Sequence, residues 1–81
     1  MLEPKIGEPK TGKVKWFNEK TGFGFIIAEE REYFVHYRSI LSSGTFKALT
    51  EGQTVDFIVD KRTKGYCADK VRVVEANGNT L

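Results

Sequence analysis

The sequence predicts an all-β chain folded as a five-stranded antiparallel barrel, and three observations predict it. Five short stretches rich in β-branched and aromatic residues alternate with period two, turn residues separate them at close spacing, and no stretch carries a helical period. Five strands cannot readily make two packed sheets with a shared core, whereas closure into one barrel removes exposed edges. A length of 81 residues allows one domain, near the lower end of what folds without staples.

Residues 1–10 hold both prolines, Pro4 and Pro9, show no periodicity, and read as a flexible lead-in to a domain over 11–75. The first strand runs from Thr11 to Asn18 with Val14 inward. Trp16 and Phe17 are consecutive, so only a bulge or a strong bend could bring both to one face. Glu19 to Gly22 is a turn, because glycine tolerates the positive φ of a tight connection. Phe23 to Ala28 is the second strand; Gly22, Gly24 and Ile26 point inward and Phe23, Phe25 and Ile27 outward. After a charged turn at Glu29 to Arg31, Glu32 to Tyr37 is the third strand, with Val35 inward and Phe34 and His36 outward.

Arg38 to Gln53 has no period-two pattern and reads as a loop with one helical turn near Ser39 to Leu41. Thr54 to Asp60 alternates cleanly, with Val55, Phe57 and Val59 on one face. Lys61 to Gly65 is a basic turn. Tyr66 to Val74 is the last strand, with Ala68, Val71 and Val73 as core candidates, and 76–81 is a polar tail. The expected core is Val14, Ile26, Val35, Ile40, Val55, Phe57, Val71 and Val73.

Composition narrows the function. The single cysteine, Cys67, rules out an internal disulfide and fits a reducing compartment; it reads as a small packing residue. No apolar run is long enough to span a bilayer, and the N-terminus lacks the apolar region of a secretory signal, so a cytoplasmic protein is expected with no membrane partner. A net charge of +2 does not by itself argue for a polyanion. Distribution says more, since Lys61, Arg62, Lys64, Lys70 and Arg72 crowd one segment while Glu29, Glu30 and Glu32 gather in another.

Of ten Phe, Trp and Tyr residues, seven lie between Lys15 and Tyr37, joined there by His36. Aromatics suit a pleated surface and are commonly core, as Phe57 is by its phase with Val55 and Val59. Tyr33 shares the phase of Val35 and reads as structural. For Phe23, Phe25, Phe34 and His36 the opposite faces already hold Ile26 and Val35, which leaves these rings for a surface. Trp16 goes with them, and Phe17 less so because partial burial would suit it. Exposed rings stack unpaired bases at about 1–3 kcal/mol each, and flanking lysines (Lys13, Lys15, Lys47 and Lys64) would meet the phosphates. His36 stacks when neutral and adds charge when protonated. Phe46 lies in a loop, where packing explains an aromatic less easily.

Catalytic patterns are poor. His36 has no partner for a metal site or a nucleophile. Gly22-Phe23-Gly24 lacks the third glycine and the following helix of a dinucleotide loop. No enzyme, cofactor or small-molecule substrate is expected.

Lys15-Trp16-Phe17-Asn18, Gly22-Phe23-Gly24-Phe25-Ile26 and Phe34-Val35-His36 together resemble the cold-shock domain family. Phe46-Lys47, Leu49, Glu51 to Val55, Gly65, Ala68 and Val71 extend the resemblance over Thr11 to Glu75. It implies an OB-fold barrel that binds single-stranded RNA and DNA with low sequence selectivity, as an RNA chaperone or a regulator of transcription or translation. By motif position it implies a binding face of Lys15, Trp16, Phe17, Phe23, Phe25, Phe34, His36, Tyr37, Phe46, Lys47 and Lys64. Gly22 to Ile26 would be the first ribonucleoprotein motif and Phe34 to Tyr37 the core of the second.

The chain departs from the family pattern in places. Thr21 stands where a basic residue is usual, which removes one phosphate contact, and Arg38 stands for Ser, which would restore charge nearby; Tyr37 replaces Phe, Tyr66-Cys67 Pro-Gln and Lys70 Asn. The turn at Glu29 to Arg31 is shorter than usual and the stretch at Ser42 to Thr45 longer.

Two rivals bear on the aromatic surface. An RNA-recognition motif needs two helices and places its second aromatic strand before the first, which this order of segments does not provide. A small β-barrel that docks a peptide in an aromatic groove would not require the basic flank. A monomer is expected, because a closed barrel leaves little edge to pair.

Overall fold

The computed structural model describes residues 3–41 and 48–74. Strand β1 spans Pro9–Asn18, β2 Phe23–Ala28, β3 Arg31–His36, β4 Thr54–Arg62 and β5 Gly65–Val73. They close in the order β1-β2-β3-β5-β4. Four seams are antiparallel, as expected of the barrel; the fifth, β3 to β5, is parallel and narrow, joined at Phe34 and Cys67. A further parallel bridge links Ile40 to Val71.

The turns follow local chemistry. Asn18 Oδ1 accepts from the Lys20 and Thr21 amides at 2.8 and 3.2 Å, and its carbonyl accepts from the Gly22 amide at 2.8 Å. An asparagine side chain thus closes the β1–β2 turn. Glu29 and Glu30, both at positive φ, form the two-residue link from Ala28 to Arg31. That is the pattern of a primed hairpin turn, whose twist matches the flanking strands.

Two bulges set the phase of the strands. Between Val14 and Trp16 the register with β2 shifts, so Lys15 is the extra residue. In β5, Ile58 pairs with Asp69 and Asp56 with Arg72, leaving Lys70 surplus at φ 49. An extra residue reverses alternation, which is how Ala68 and Val71, three apart, both reach the core.

That core contains Val14, Ile26, Val35, Ile40, Val55, Phe57 and Val71 as expected, joined by Ala28, Tyr33, Leu49, Val59 and Ala68. Tyr33 and Phe57 have ring centroids 4.9 Å apart inside the barrel. Val73 is the exception among the expected eight: it lies at the strand end and is half-buried against the core.

Several boundaries differ from expectation: β3 opens at Arg31, which was read as turn, and β5 spans Gly65–Val73, one residue earlier at each end. The stretch read as a lead-in carries structure: β1 opens at Pro9, the Gly7 amide donates to the Val59 carbonyl at 2.7 Å, and the Val59 amide donates to the Glu8 carbonyl at 2.9 Å. A proline is tolerated at a strand's first residue, where no ladder donor is needed. Farther out, Tyr66 Oη donates to Glu3 Oε1 at 2.5 Å. The expected helical turn is a 3-10 turn at Tyr37–Ser39, two residues earlier than read, so Tyr37 leaves β3. The basic turn narrows to Thr63 and Lys64, because Arg62 still pairs with Gly65. No helix among the described residues is long and apolar enough to cross a membrane.

Candidate nucleic-acid interface

Strands β1, β2 and β3 lie side by side, and their pairing decides which rings meet. Phe25 sits opposite Phe34, Phe23 opposite His36, and the β1 bulge brings Trp16 opposite Phe25. Four rings consequently form one cluster. Trp16 lies 5.8 Å from Phe23 and 5.4 Å from Phe25, while Phe34 lies 5.5 Å from Phe23 and 5.8 Å from Phe25. Three of these pairs are edge-on, a geometry worth about 0.5–1.5 kcal/mol beyond area burial. Such pairing holds the rings in place without covering every π-face. Trp16 is 37% and Phe34 36% exposed; Phe23 and Phe25, shielded by their neighbours, are half-buried.

His36 continues the surface. Its ring lies 4.5 Å from that of Tyr37, and its Nδ1 accepts from the Arg38 amide at 3.2 Å. An accepting Nδ1 puts the proton of the neutral ring on Nε2. Tyr37 is 43% exposed and stands over Gly22, whose φ is +82. A Cβ at Gly22 would come within 2.6 Å of the Tyr37 ring. Behind the cluster, a Cβ at Gly24 would lie 2.1 Å from the Trp16 carbonyl oxygen and 2.7 Å from Phe17 Cα. Glycine there lets β1 press against β2 at the place where both carry rings.

Other expected residues stand differently. Phe17 is half-buried, packed against the core and apart from the four-ring cluster. Lys15, in the bulge, holds its Nζ 2.6 Å from Glu32 Oε2, with both side chains about half exposed. The cation at the head of the ring cluster is already paired within the chain. Lys64 is exposed in the β4–β5 turn. Phe46 and Lys47 lie outside the described residues.

Two cations lie beside the face without being among its expected residues, although Arg38 was expected to restore charge nearby. Arg38 and Arg62 line a hollow of about 410 Å³ together with Phe34, His36 and Ser39. The signal for Arg62 was its place in the basic run from Lys61 to Lys64. What hid it was the reading of that run as turn, when Arg62 is the last residue of β4. A larger hollow, about 600 Å³, lies away from the rings, where Lys10 and Glu29 pair at 2.6 Å beside Asp56 and Arg72. Its mixed charge offers no consistent field for a polyanion. Cys67 is buried, and desolvation raises its thiol pKa, as suits a packing residue. Among the described residues no cluster of three or more His, Cys, Asp or Glu could hold a metal.

A closed five-stranded barrel that carries exposed rings on adjacent strands beside basic turns defines the OB-type class. A family model described as the 'Cold-shock' DNA-binding domain matches residues 10–74, and the chain belongs to that family of nucleic-acid-binding domains. The major cold shock protein CspA of Pseudomonas aeruginosa is 53% identical over 66 residues, covering 80% of this chain and 94% of that protein. The cold shock-like protein CspA of Vibrio cholerae is 48% identical over 68 residues, covering 82% and 96%. Among solved structures, the chain titled drosophila Unr CSD456 superposes with a TM-score of 0.69 at 21% identity. The match covers 90% of this chain and 29% of that one, and the likeness is one of fold.

Proposed function

We propose that the chain is a single-stranded nucleic-acid-binding protein of low sequence selectivity, without catalytic activity, that stacks bases on Trp16, Phe23, Phe25, Phe34 and His36. The observation that carries this reading is the cluster of four rings on adjacent strands, held on the outer face of a barrel whose core is filled without them. Phe17 contributes from the side, Tyr37 extends the platform past His36, and Lys15 and Lys64 flank it for the phosphates. Phe46 and Lys47 join the face by motif position. RNA and single-stranded DNA both offer unpaired π-faces, so both are partners. A protein that holds bases unpaired opposes secondary structure, which makes a cytoplasmic RNA chaperone or a regulator of transcription or translation its role. It acts as a monomer, since closure leaves no long strand edge for a second copy.

Titration with heptathymidine at low salt, followed by Trp16 fluorescence, tests the reading. Quenching is expected, with a duplex of the same length binding much more weakly because pairing hides the base faces. Absence of quenching would sink it, and equal affinity for the duplex would assign binding to charge alone.

A further inference from the structure

The narrow β3–β5 seam leaves a notch at the edge of the ring cluster. Two adjoining hollows occupy it, sharing Phe34, His36, Ser39 and Arg62; the outer is bounded by Arg38 and the inner is floored by Cys67 and Ala68. Arg38 comes from the 3-10 turn after β3 and Arg62 from the end of β4. Neither belongs to the residues that family motifs place on the binding face.

The lining is one-sided chemically. Two guanidiniums, the Ser39 hydroxyl and the His36 ring, with its proton on Nε2, offer donors, and among the described residues no carboxylate lines either hollow. Asp60 accepts from Arg62 Nε at 3.3 Å and lines neither hollow, which leaves the terminal amino groups of that fork to other partners. The Arg62 side chain is 68% exposed. Donors that converge beside an aromatic ring fit an anion joined to a stacked base. Guanidinium forks match phosphate oxygens in geometry as well as charge.

We propose that Arg38 and Arg62 form a phosphate clamp for the nucleotide stacked on Phe34. They hold one phosphodiester of the single strand at the β3–β5 notch. The clamp rests on the base-stacking reading. It supplies positive charge on a face where Thr21 carries none and Lys15 is tied to Glu32.

The test uses the full chain, heptathymidine and Trp16 fluorescence across a range of salt. Arg38→Gln and Arg62→Gln should each lower the slope of log affinity against log salt, and the double Gln variant should lower it by about 0.7, the value of one phosphate contact to a single strand. Arg38→Lys and Arg62→Lys should recover most of that slope. Lys5→Gln, at a residue that lines neither hollow, should leave it unchanged. Heptathymidines carrying one uncharged methylphosphonate linkage, moved along the chain, should lose affinity for the wild type at one position. At that position the double Gln variant should show no further loss. Thermal melts establish that each variant is folded. Wild-type slopes in both Gln variants, with heptathymidine still binding, overturn the clamp and leave the stacking reading standing. A wild type that does not bind heptathymidine overturns both. Losses that appear only when guanine replaces thymine, with the salt slope intact, assign the pair to base reading and also overturn the clamp.

Discussion

Tyr33 and Phe34 are neighbours on β3, and alternation turns one ring into the barrel and the other onto the ring cluster. Their truncations should therefore act on different quantities. Tyr33→Ala removes a fully buried ring packed on Phe57 and should destabilise the fold by about 3–5 kcal/mol, read by chemical denaturation. Phe34→Ala should leave the denaturation midpoint nearly in place and weaken oligonucleotide binding by about 1–3 kcal/mol, read by Trp16 fluorescence. Unfolding of both variants would show Phe34 to be core. The Lys15–Glu32 pair gives a second prediction. Surface pairs of this kind contribute only about 0–1 kcal/mol to stability, so Glu32→Gln should fold normally. With Lys15 released, heptathymidine should bind more tightly at low salt, and the gain should fade as salt screens it. Unchanged affinity at low salt would show that Lys15 does not meet the strand.

Element by element, sequence patterning located the strands well and their irregularities poorly. Alternation needs only the order of apolar residues, so Val55, Phe57 and Val59 announce β4 without ambiguity. A bulge is one residue of backbone geometry and leaves no composition of its own. In β5 no bulge was expected, although Ala68 and Val71 are three apart; the register shift and the positive φ of Lys70 locate it. The doubled aromatics Trp16-Phe17 hinted at a bulge, which falls one residue earlier, at Lys15. Rings on the candidate face were legible for the same reason as the core, being the other phase of strands whose inward residues were plain. Arg38 was legible as charge gained near a face where Thr21 loses it, but its meeting with Arg62 was not, since that depends on the parallel seam, which no local pattern encodes. The bulge in β5 carries a prediction of its own. Left-handed backbone costs an L-residue about 1–2 kcal/mol, less for asparagine, whose short side chain can bond locally. Lys70→Asn should raise the melting temperature, with a gain on the order of 0.5–1 kcal/mol. A lower melting temperature would show that the lysine side chain stabilises the bulge by its own contacts.

At the scale of the whole molecule, residues before the family match are tied to the barrel through Glu3 and Tyr66, whose ring also has Arg31 and Lys61 at 5.1 and 5.2 Å. The hydrogen bond from Tyr66 holds the Glu3 pKa below its ordinary 4.5 and is the main cause raising that of Tyr66 above 10.0. A lowered acid contributes above pH 4.5 and loses its contribution as pH falls through the folded value. A raised phenol contributes below pH 10.0 and loses it as pH climbs through its own. The contact should accordingly hold between those limits and release outside them. In an NMR titration the Tyr66 ring signals should move with a midpoint below 4.5, and the same acid-limb shift should vanish from the Gly7 amide in Tyr66→Phe. A midpoint at or above 4.5 would show that Glu3 does not accept that bond. The β1–β2 seam has a different dependence, set by Gly24. Any side chain there strikes the backbone of the neighbouring strand, and backbone cannot yield without opening the seam that aligns Trp16 with Phe25. A random-mutagenesis screen for soluble variants that no longer bind should return Gly24→Ala beside changes in the rings themselves. It would be a loss-of-function allele at a site with no side chain to offer a ligand, invisible to any footprint of the bound strand.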